Sequence, residues 1–435
     1  MAGKSSTWTK AVVDDIHVKA KIGRYRVRGY GAYRPLPSFD DLVFLSAAMS
    51  RMVVEPHLED CSTKTVLGTR FAKEPLELET PVIIAPMSWG ALSKEAKIAL
   101  AKGAAMAGTA AATGEGGMME EERATAKYLF YQCTPGRYGF SPRDLLRADA
   151  IDIAISQGAK PGVGGHLMGS KIDQEVAQQR GLPMGIDLRS PSRHPDFVGA
   201  DDLVLKVLEF REATGWRKPI SLKVGAGRLI DDVQIMAKVG VDMVQIDGLE
   251  GGTGAAPEVA LEHIGIPTLA ALVQAVAGLR ECGAFDEVDI VIMGGIRNGS
   301  DAAKALAMGA KAVAIGTAAL IAMGCTACMQ CATGKCPKGI ATQDKELRRK
   351  FDIDEAAEGV ANFIESMNSE MKLIARVCGK TDVHNLEPED LRALTLEASA
   401  ITGIPLVGSD MVVGSSGYSV LGSRDGHGNG ASPIA

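Results

Sequence analysis

Val288-Asp289-Ile290-Val291-Ile292-Met293-Gly294-Gly295-Ile296-Arg297-Asn298-Gly299 is followed, one helix-length later, by Ala312-Val313-Ala314-Ile315-Gly316-Thr317-Ala318-Ala319. Each stretch is a short Val/Ile-rich run that stops at glycine, and an Ala/Lys-rich segment lies between them. Uninterrupted apolar runs of this length suit strands covered on both faces, as in a parallel sheet. Glycine at a strand end leaves backbone N–H groups bare, and a following helix start adds a favourable dipole. Together these are what a phosphate requires. One Gly-Gly alone reads as a tight turn. Two such ends in succession match the place where (β/α)8 barrels bind phosphate, after their last two strands. The pair therefore favours a TIM barrel over an open doubly wound sheet, with Gly294, Gly295, Gly316 and Thr317 as a candidate phosphate site.

Working back from this pair, further apolar runs occur at 82–85, 109–113, 151–155, 185–188, 220–224 and 243–247. Amphipathic segments at 93–107, 201–214, 229–239, 268–282 and 300–308 separate many of them. Ser93 and Ser300 read as N-caps, and Gly240 and Gly309 as C′ glycines. Eight strand-then-helix units predict one barrel over 76–343. Residues 1–75 lack that rhythm and read as a cap or subunit-contact segment, or as a loosely packed extension. Residues 344–435 read as a helical segment (345–378) and then a flexible tail rich in Gly, Ser, Asp and His, a linker or a docking tail for a partner.

Composition fits an enzyme-sized soluble domain. The 435 residues are 46% hydrophobic and 23% charged, which is ample for one large core. A formal charge of −6 argues against nucleic-acid binding. No apolar run reaches membrane-spanning length, and the start lacks the apolar core of a secretion signal, so a cytoplasmic location is expected.

Other strand ends carry polar chemistry. Lys223 sits between Leu222 and Val224, so alternation aims it at the barrel mouth, where a cation stabilises negative charge on a bound redox ring. A lysine paired with a core carboxylate is the plainer reading. Glu115, in Gly114-Glu115-Gly116-Gly117, and Lys160, in Gln157-Gly158-Ala159-Lys160-Pro161-Gly162, are candidates for proton transfer and carboxylate binding. His166 is a candidate hydrogen-bond donor to substrate, although a lone histidine is more often structural. Arg180, at a helix end, reads on its own as a solvated charge. Pro86, Met87 and Ser88 follow the first strand and face the same mouth.

Four of eight cysteines fall within Cys325-Thr-Ala-Cys328-Met-Gln-Cys331-Ala-Thr-Gly-Lys-Cys336-Pro337. Such clustering indicates metal chemistry. Four thiolates suit zinc as well, but the Cys-Pro ending and tight spacing favour an iron–sulfur cluster.

These motifs resemble the FMN-binding domain of glutamate synthases. The matching stretches are Pro86-Met87-Ser88 with Gly90-Ala91-Leu92-Ser93, Gly114-Glu115-Gly116-Gly117, Gln157–Gly162, Gly251-Gly252-Thr253-Gly254-Ala255, Ile315–Leu320, and Cys336-Pro337 with Gly339-Ile340-Ala341-Thr342-Gln343. They run in family order from residue 86 to residue 343. The resemblance implies FMN, an iron–sulfur cluster, and amination of a 2-iminoglutarate intermediate formed from 2-oxoglutarate and channelled ammonia. It implies that Lys160 and Arg180 bind 2-oxoglutarate carboxylates and that Lys223 lies near the flavin. It assigns Cys325, Cys331 and Cys336 to a [3Fe-4S] centre; Cys328 is an extra thiol that makes [4Fe-4S] possible. His166 and Gly199 stand where the family carries Gln and Ser.

The glutaminase and glycine-rich β-helix parts of such enzymes are expected on separate subunits, making a hetero-oligomer. The segment Arg24–Ala32, with Leu36-Pro37 and Phe39–Leu42, is similar to the stand-alone flavin subunits of N-methylglutamate synthases. That likeness implies N-methyl-L-glutamate formation from glutamate and methylamine through a flavin-reduced imine. The alternatives are a split, ferredoxin-dependent glutamate synthase and a flavin-bearing scaffold without chemistry.

Overall fold

A computed structural model describes residues 6–409 and 411–413. The flexible tail expected from Gly414 onward lies outside them. Eight parallel strands make the barrel: β1 Val82–Ile84, β2 Ala110–Ala112, β3 Tyr128–Cys133, β4 Ala150–Ala154, β5 Ile220–Gly225, β6 Met243–Asp247, β7 Asp289–Met293 and β8 Ala312–Ile315. The ladder runs β1-β8-β7-β6-β5-β4-β3-β2. At the β1/β2 seam the Thr109 hydroxyl donates to the Val82 carbonyl (2.7 Å).

The expected strand set needs two corrections. Residues 185–188 do not join the barrel. Leu188–Arg189 instead pairs antiparallel with His166–Leu167 in a two-stranded ribbon inside the β4 excursion. The missing strand is β3, whose Leu129, Tyr131 and Cys133 pack outward into the main core while Phe130 packs with the barrel interior.

The helices follow the strands: α1 Lys94–Met106, α2 Glu120–Thr125, α3 Pro142–Arg147, α4 Ala200–Ala213, α5 Leu229–Lys238, α6 Thr268–Glu281, α7 Gly299–Ala307 and the long α8 Ile353–Val377. Ser93 caps α1 by accepting from Ala96 N (3.2 Å). The cap of α7 is Asn298, not Ser300; its Oδ1 accepts from Asp301 N (2.8 Å). α8 packs along α1 and α7, filling the eighth helical position outside β1 and β8. No helix among the described residues is long and apolar enough to cross a membrane.

The pleat sorts the side chains. Val82, Leu129, Ile151, Leu222, Ile246, Ile292 and Val313 face the helices, while Ile83, Ala110, Phe130, Met243, Val291 and Ala312 fill the interior. A hairpin of Thr65–Leu67 and Leu76–Leu78 plugs the N-terminal end with Leu67, Leu76 and Leu78. Asp289 Oδ2 accepts from Gly68 N (2.7 Å) and Asp242 Oδ1 from Phe71 N (2.8 Å), which fastens the plug.

Above the apolar layer lies a polar one. Gln132 Nε2 donates to Asp152 (2.8 Å), Ser221 Oγ donates to the other Asp152 oxygen (2.8 Å), and Gln245 Nε2 donates to Ser221 (2.8 Å). Above that layer, towards the C-terminal mouth, small side chains at Ala85, Ala154 and Ala314 leave room for a cavity.

The N-terminal region divides. Val27–Arg28 pairs with Ala256–Pro257, and Phe39 and Leu42 are buried. The helix Lys10–Ile22 buries none of its side chains.

Candidate active site

A cavity of about 640 Å3 opens at the C-terminal mouth. Its walls bring together Pro86, Met87, Ser88, Glu115, Lys160, His166, Arg180, Lys223, Gly294, Gly295, Gly316 and Thr317. These residues come from five strand ends and the β4 excursion, so only the closed barrel makes them neighbours.

Three cations converge there. Lys223 is 5% exposed, and its ammonium stands 3.8 Å from the Asp247 carboxylate. The lysine is thus paired with a core carboxylate and also lines the cavity. Burial raises the Asp247 pKa, opposed by the Lys223 charge. The Lys160 ammonium makes no hydrogen bond and no ion pair among the described residues; desolvation lowers its pKa, and the charge of Glu115 acts against that. Arg180 is buried rather than solvated. Its Nη2 donates to the Trp89 and Glu115 carbonyls, and its Nε has no partner among the described residues. Gly116, at φ +118°, permits this approach, since a Cβ there would stand 2.7 Å from Arg180 Nε.

Glu115 is held by Ser190, whose hydroxyl donates to Oε1 (2.7 Å). His166 faces Asp187 across the ribbon at 3.3 Å. At the other end, Gly294 and Gly295 take left-handed φ values of +105° and +73°. A Cβ on Gly295 would meet the Glu250 side chain at 2.9 Å.

Around the start of α7, Arg297 N donates to Asp301, Gly299 N to Glu370 (2.5 Å) and Asp301 N to Asn298. The helix after β8, Thr317–Ala322, is one short turn and a half. An anion in this corner would meet the glycine backbone of both strand ends beside these helix starts.

Sequence reasoning missed Tyr30 and Tyr33, which line the mouth from the N-terminal segment. The Tyr30 hydroxyl lies 3.2 Å from Cys325 Sγ, and Tyr33 donates to Met329 Sδ (2.8 Å). It also missed Lys171, buried between the cavity and the cysteine loop. Its Nζ donates to the Ala91 carbonyl (2.6 Å) and the Cys331 carbonyl (3.1 Å), and burial lowers its pKa to about 8.

The cysteine loop follows Thr317–Ala322. Cys336 is buried, Cys325 and Cys331 are half-buried, and Cys328 is exposed. Burial and the neighbouring cysteines push the Cys331 thiol up to about 11. Among the described residues no three His, Cys, Asp or Glu side chains are gathered closely enough to hold a metal ion. The thiols are neighbours but not an assembled cage.

The pattern described as the conserved region in glutamate synthase matches residues 40–381. A glutamate synthase large subunit-like protein of Rhizobium meliloti (strain 1021) is 49% identical over 427 residues, spanning 94% of this chain and 97% of its own. The chain belongs to the glutamate synthase family. An archaeal glutamate synthase [NADPH] of Methanocaldococcus jannaschii is 37% identical, covering 86% of this chain and 78% of that protein. Among solved structures, a putative lactate oxidase of Pediococcus acidilactici superposes with a TM-score of 0.52 at 17% identity, over 82% of this chain and 84% of its own. That likeness supports the fold, and family membership supports an oxidoreductase enzyme.

Proposed function

We propose that this glutamate synthase family chain is the FMN-bearing subunit of an N-methylglutamate synthase, acting on a 2-oxoglutarate-derived imine. One observation carries the reading: on the wall of one cavity, and among the described residues, the Lys160 ammonium has no ion-pair partner and the Arg180 Nε–H has no acceptor. Cations so placed call for an anionic ligand, and two of them suit a dicarboxylate.

The cavity volume lies within the range of about 300–1,000 Å3 usual for cofactor and small-ligand sites. Gly294, Gly295, Gly316 and Thr317 would hold the FMN phosphate, with Pro86, Met87, Ser88 and Lys223 toward the ring. When bound, FMN supplies the reducing equivalents for the C=N bond.

The chain's own residues do the rest. Lys160 and Arg180 hold carboxylates and orient the carbon to be reduced, with His166 at the rim of the same pocket. Glu115, kept in place by Ser190, stands beside Lys160 and holds or moves a proton at the nitrogen. Lys223, steadied by Asp247, stabilises negative charge on the ring.

An iron–sulfur cluster on Cys325, Cys331 and Cys336, with Cys328 as fourth ligand in a four-iron form, belongs to the same proposal. A bound metal would relieve the burial that disfavours the Cys331 thiolate. The methylamine assignment rests on the N-terminal segment, whose sequence is similar to N-methylglutamate synthase flavin subunits and whose Tyr30–Tyr33 stretch borders the cavity. A glutaminase-like subunit and a glycine-rich β-helix subunit complete the proposed hetero-oligomer.

Formation of glutamate from 2-oxoglutarate and glutamine-derived ammonia is the second reading, favoured by the relationship to archaeal glutamate synthase. Turnover of the assembled complex with glutamate plus methylamine, against glutamine plus 2-oxoglutarate, decides between them. Turnover of only the second pair overturns the first reading, and a chain that binds no flavin overturns both.

A further inference from the structure

Behind the cavity lies a cluster, buried at His194 and open to solvent at Asp196, that the chemistry above does not use. His194 is 3% exposed. Its Nδ1 lies 2.7 Å from Arg137 Nη1, and its Nε2 lies 2.8 Å from the Ala154 carbonyl. A guanidinium can only donate and a carbonyl can only accept. The imidazole is therefore neutral, with its proton on Nε2 and its lone pair turned to Arg137. Desolvation, first, and the Arg137 charge keep its pKa down at about 4. The ring stacks on Phe197, centroids 4.4 Å apart.

Arg137 reaches three more groups. It donates to the Thr134 carbonyl (2.7 Å), to Cys133 Sγ (2.9 Å) and to Asp196 (2.6 Å); Asp196 also accepts from Lys206 (2.7 Å). Arg137 has φ +52°, a left-handed conformation unfavourable for a side chain of its size. Such strain persists where surrounding contacts over-determine it.

These bonds tie the end of the 155–199 excursion to the ends of β3 and β4. From there the chain passes through Ser190, whose N–H donates to the Gly165 carbonyl (2.8 Å) and whose hydroxyl holds Glu115. We infer that Arg137 and His194 are a positioning pair for the reaction, locking the excursion so that Ser190 presents Glu115 to the substrate end of the cavity. The effect on chemistry rests on the functional reading above; the locking of the excursion does not.

The test uses the full chain loaded with FMN. Hydrogen–deuterium exchange is followed in 186–193, and Kd values are measured separately for FMN and 2-oxoglutarate. His194→Ala is expected to speed exchange in 186–193 at least tenfold and to weaken 2-oxoglutarate at least tenfold, with FMN affinity within twofold. His194→Gln should recover part of both effects, because its amide reaches the Ala154 carbonyl as Nε2 does. Arg137→Lys should behave like His194→Ala, since an ammonium lacks the planar fork.

Unchanged exchange overturns the inference, as does an equal loss of FMN and 2-oxoglutarate affinity. If His194→Ala does not fold, 15N-histidine spectra of the unaltered chain serve instead. An Nε2-bound proton upholds the pair, and an Nδ1-bound proton overturns it. Faster exchange in the variants, with no 2-oxoglutarate binding by the unaltered chain, upholds the locking and removes the functional reading alone.

Discussion

Lys223 and Asp247 close a 3.8 Å ion pair between the C-terminal ends of the adjacent parallel strands β5 and β6, both side chains nearly sealed from solvent. The register sets Lys223 opposite Gln245 and Gly225 opposite Asp247, so the pair crosses the ladder diagonally at the cavity floor. Breaking such a pair from one side leaves a buried charge uncompensated. Lys223→Met is expected to cost about 3–5 kcal/mol in urea unfolding and to lower turnover at least ~100-fold, the scale of losing one preorganised electrostatic partner. Lys223→Met with Asp247→Asn should regain most of the stability and none of the turnover. Turnover restored in the double variant would show that the lysine serves the fold alone.

Lys160 sets a pH dependence. Its folded pKa is lowered from 10.5, chiefly by desolvation. Below that lowered value the amine is charged and attracts a carboxylate; above it the attraction is lost. Affinity for 2-oxoglutarate should therefore fall as pH rises, beginning at lower pH than for an ordinary lysine. Within that window, binding should take up a proton, seen as buffer-dependent heat in calorimetry. Lys160→Met should abolish the uptake and weaken binding at least tenfold, about 1.4 kcal/mol or more. Buffer-independent heat in the unaltered chain would rule out a neutral Lys160.

The barrel plug titrates in the opposite sense from a paired surface carboxylate. Asp289 has its pKa raised to about 6, first by desolvation and with the Asp242 charge adding to it, while its bond from Gly68 N opposes. Between the unfolded value near 3.9 and this raised one, the folded chain keeps a proton that the unfolded chain releases. Stability contributed here is thus fully present below about pH 4 and is lost as pH rises to about 6. Asp289→Asn keeps an acceptor for Gly68 and removes the charge. It is expected to raise unfolding free energy by ~1–3 kcal/mol at pH 8 relative to the unaltered chain, with little difference at pH 4. Equal effects at both pH values would contradict the assignment.

Much of this arrangement is legible along the chain because a parallel barrel writes itself as buried runs ending in glycine. β5 to β8 are read with only their ends adjusted. β3 escapes because Tyr128-Leu129-Phe130-Tyr131-Gln132-Cys133 mixes aromatic and polar residues that sort only after Phe130 and Gln132 turn inward. The run 185–188 misleads because Ile186 and Leu188 alternate like a strand, yet Ile186 is exposed and Leu188 packs under the ribbon instead. The polar layer of Gln132, Asp152, Ser221 and Gln245 carries no local signal, since its bonds join residues 20 to 69 positions apart. Arg180 is picked out by the family resemblance, but its burial is illegible for the same reason: it depends on Gly116 and Trp89, which only the folded barrel brings to it.

The cysteine loop separates two cluster types by exposure. Cys336 is buried and Cys331 half-buried beside Lys171, whereas Cys328 is exposed and flanked by Ala327 and Met329, both at positive φ. Left-handed φ at two side-chain-bearing residues costs on the order of 1–2 kcal/mol each, a strain that a ligand bond at Cys328 would offset. If three thiols hold the cluster, Cys328→Ser should leave iron content and the oxidised EPR signal unchanged, while Cys336→Ser abolishes both. If four thiols hold it, Cys328→Ser should lower iron stoichiometry and produce a three-iron signal absent from the unaltered chain. Zinc in place of iron, detected by elemental analysis of anaerobically purified protein, would remove the iron–sulfur assignment while leaving the flavin cavity and its three cations untouched.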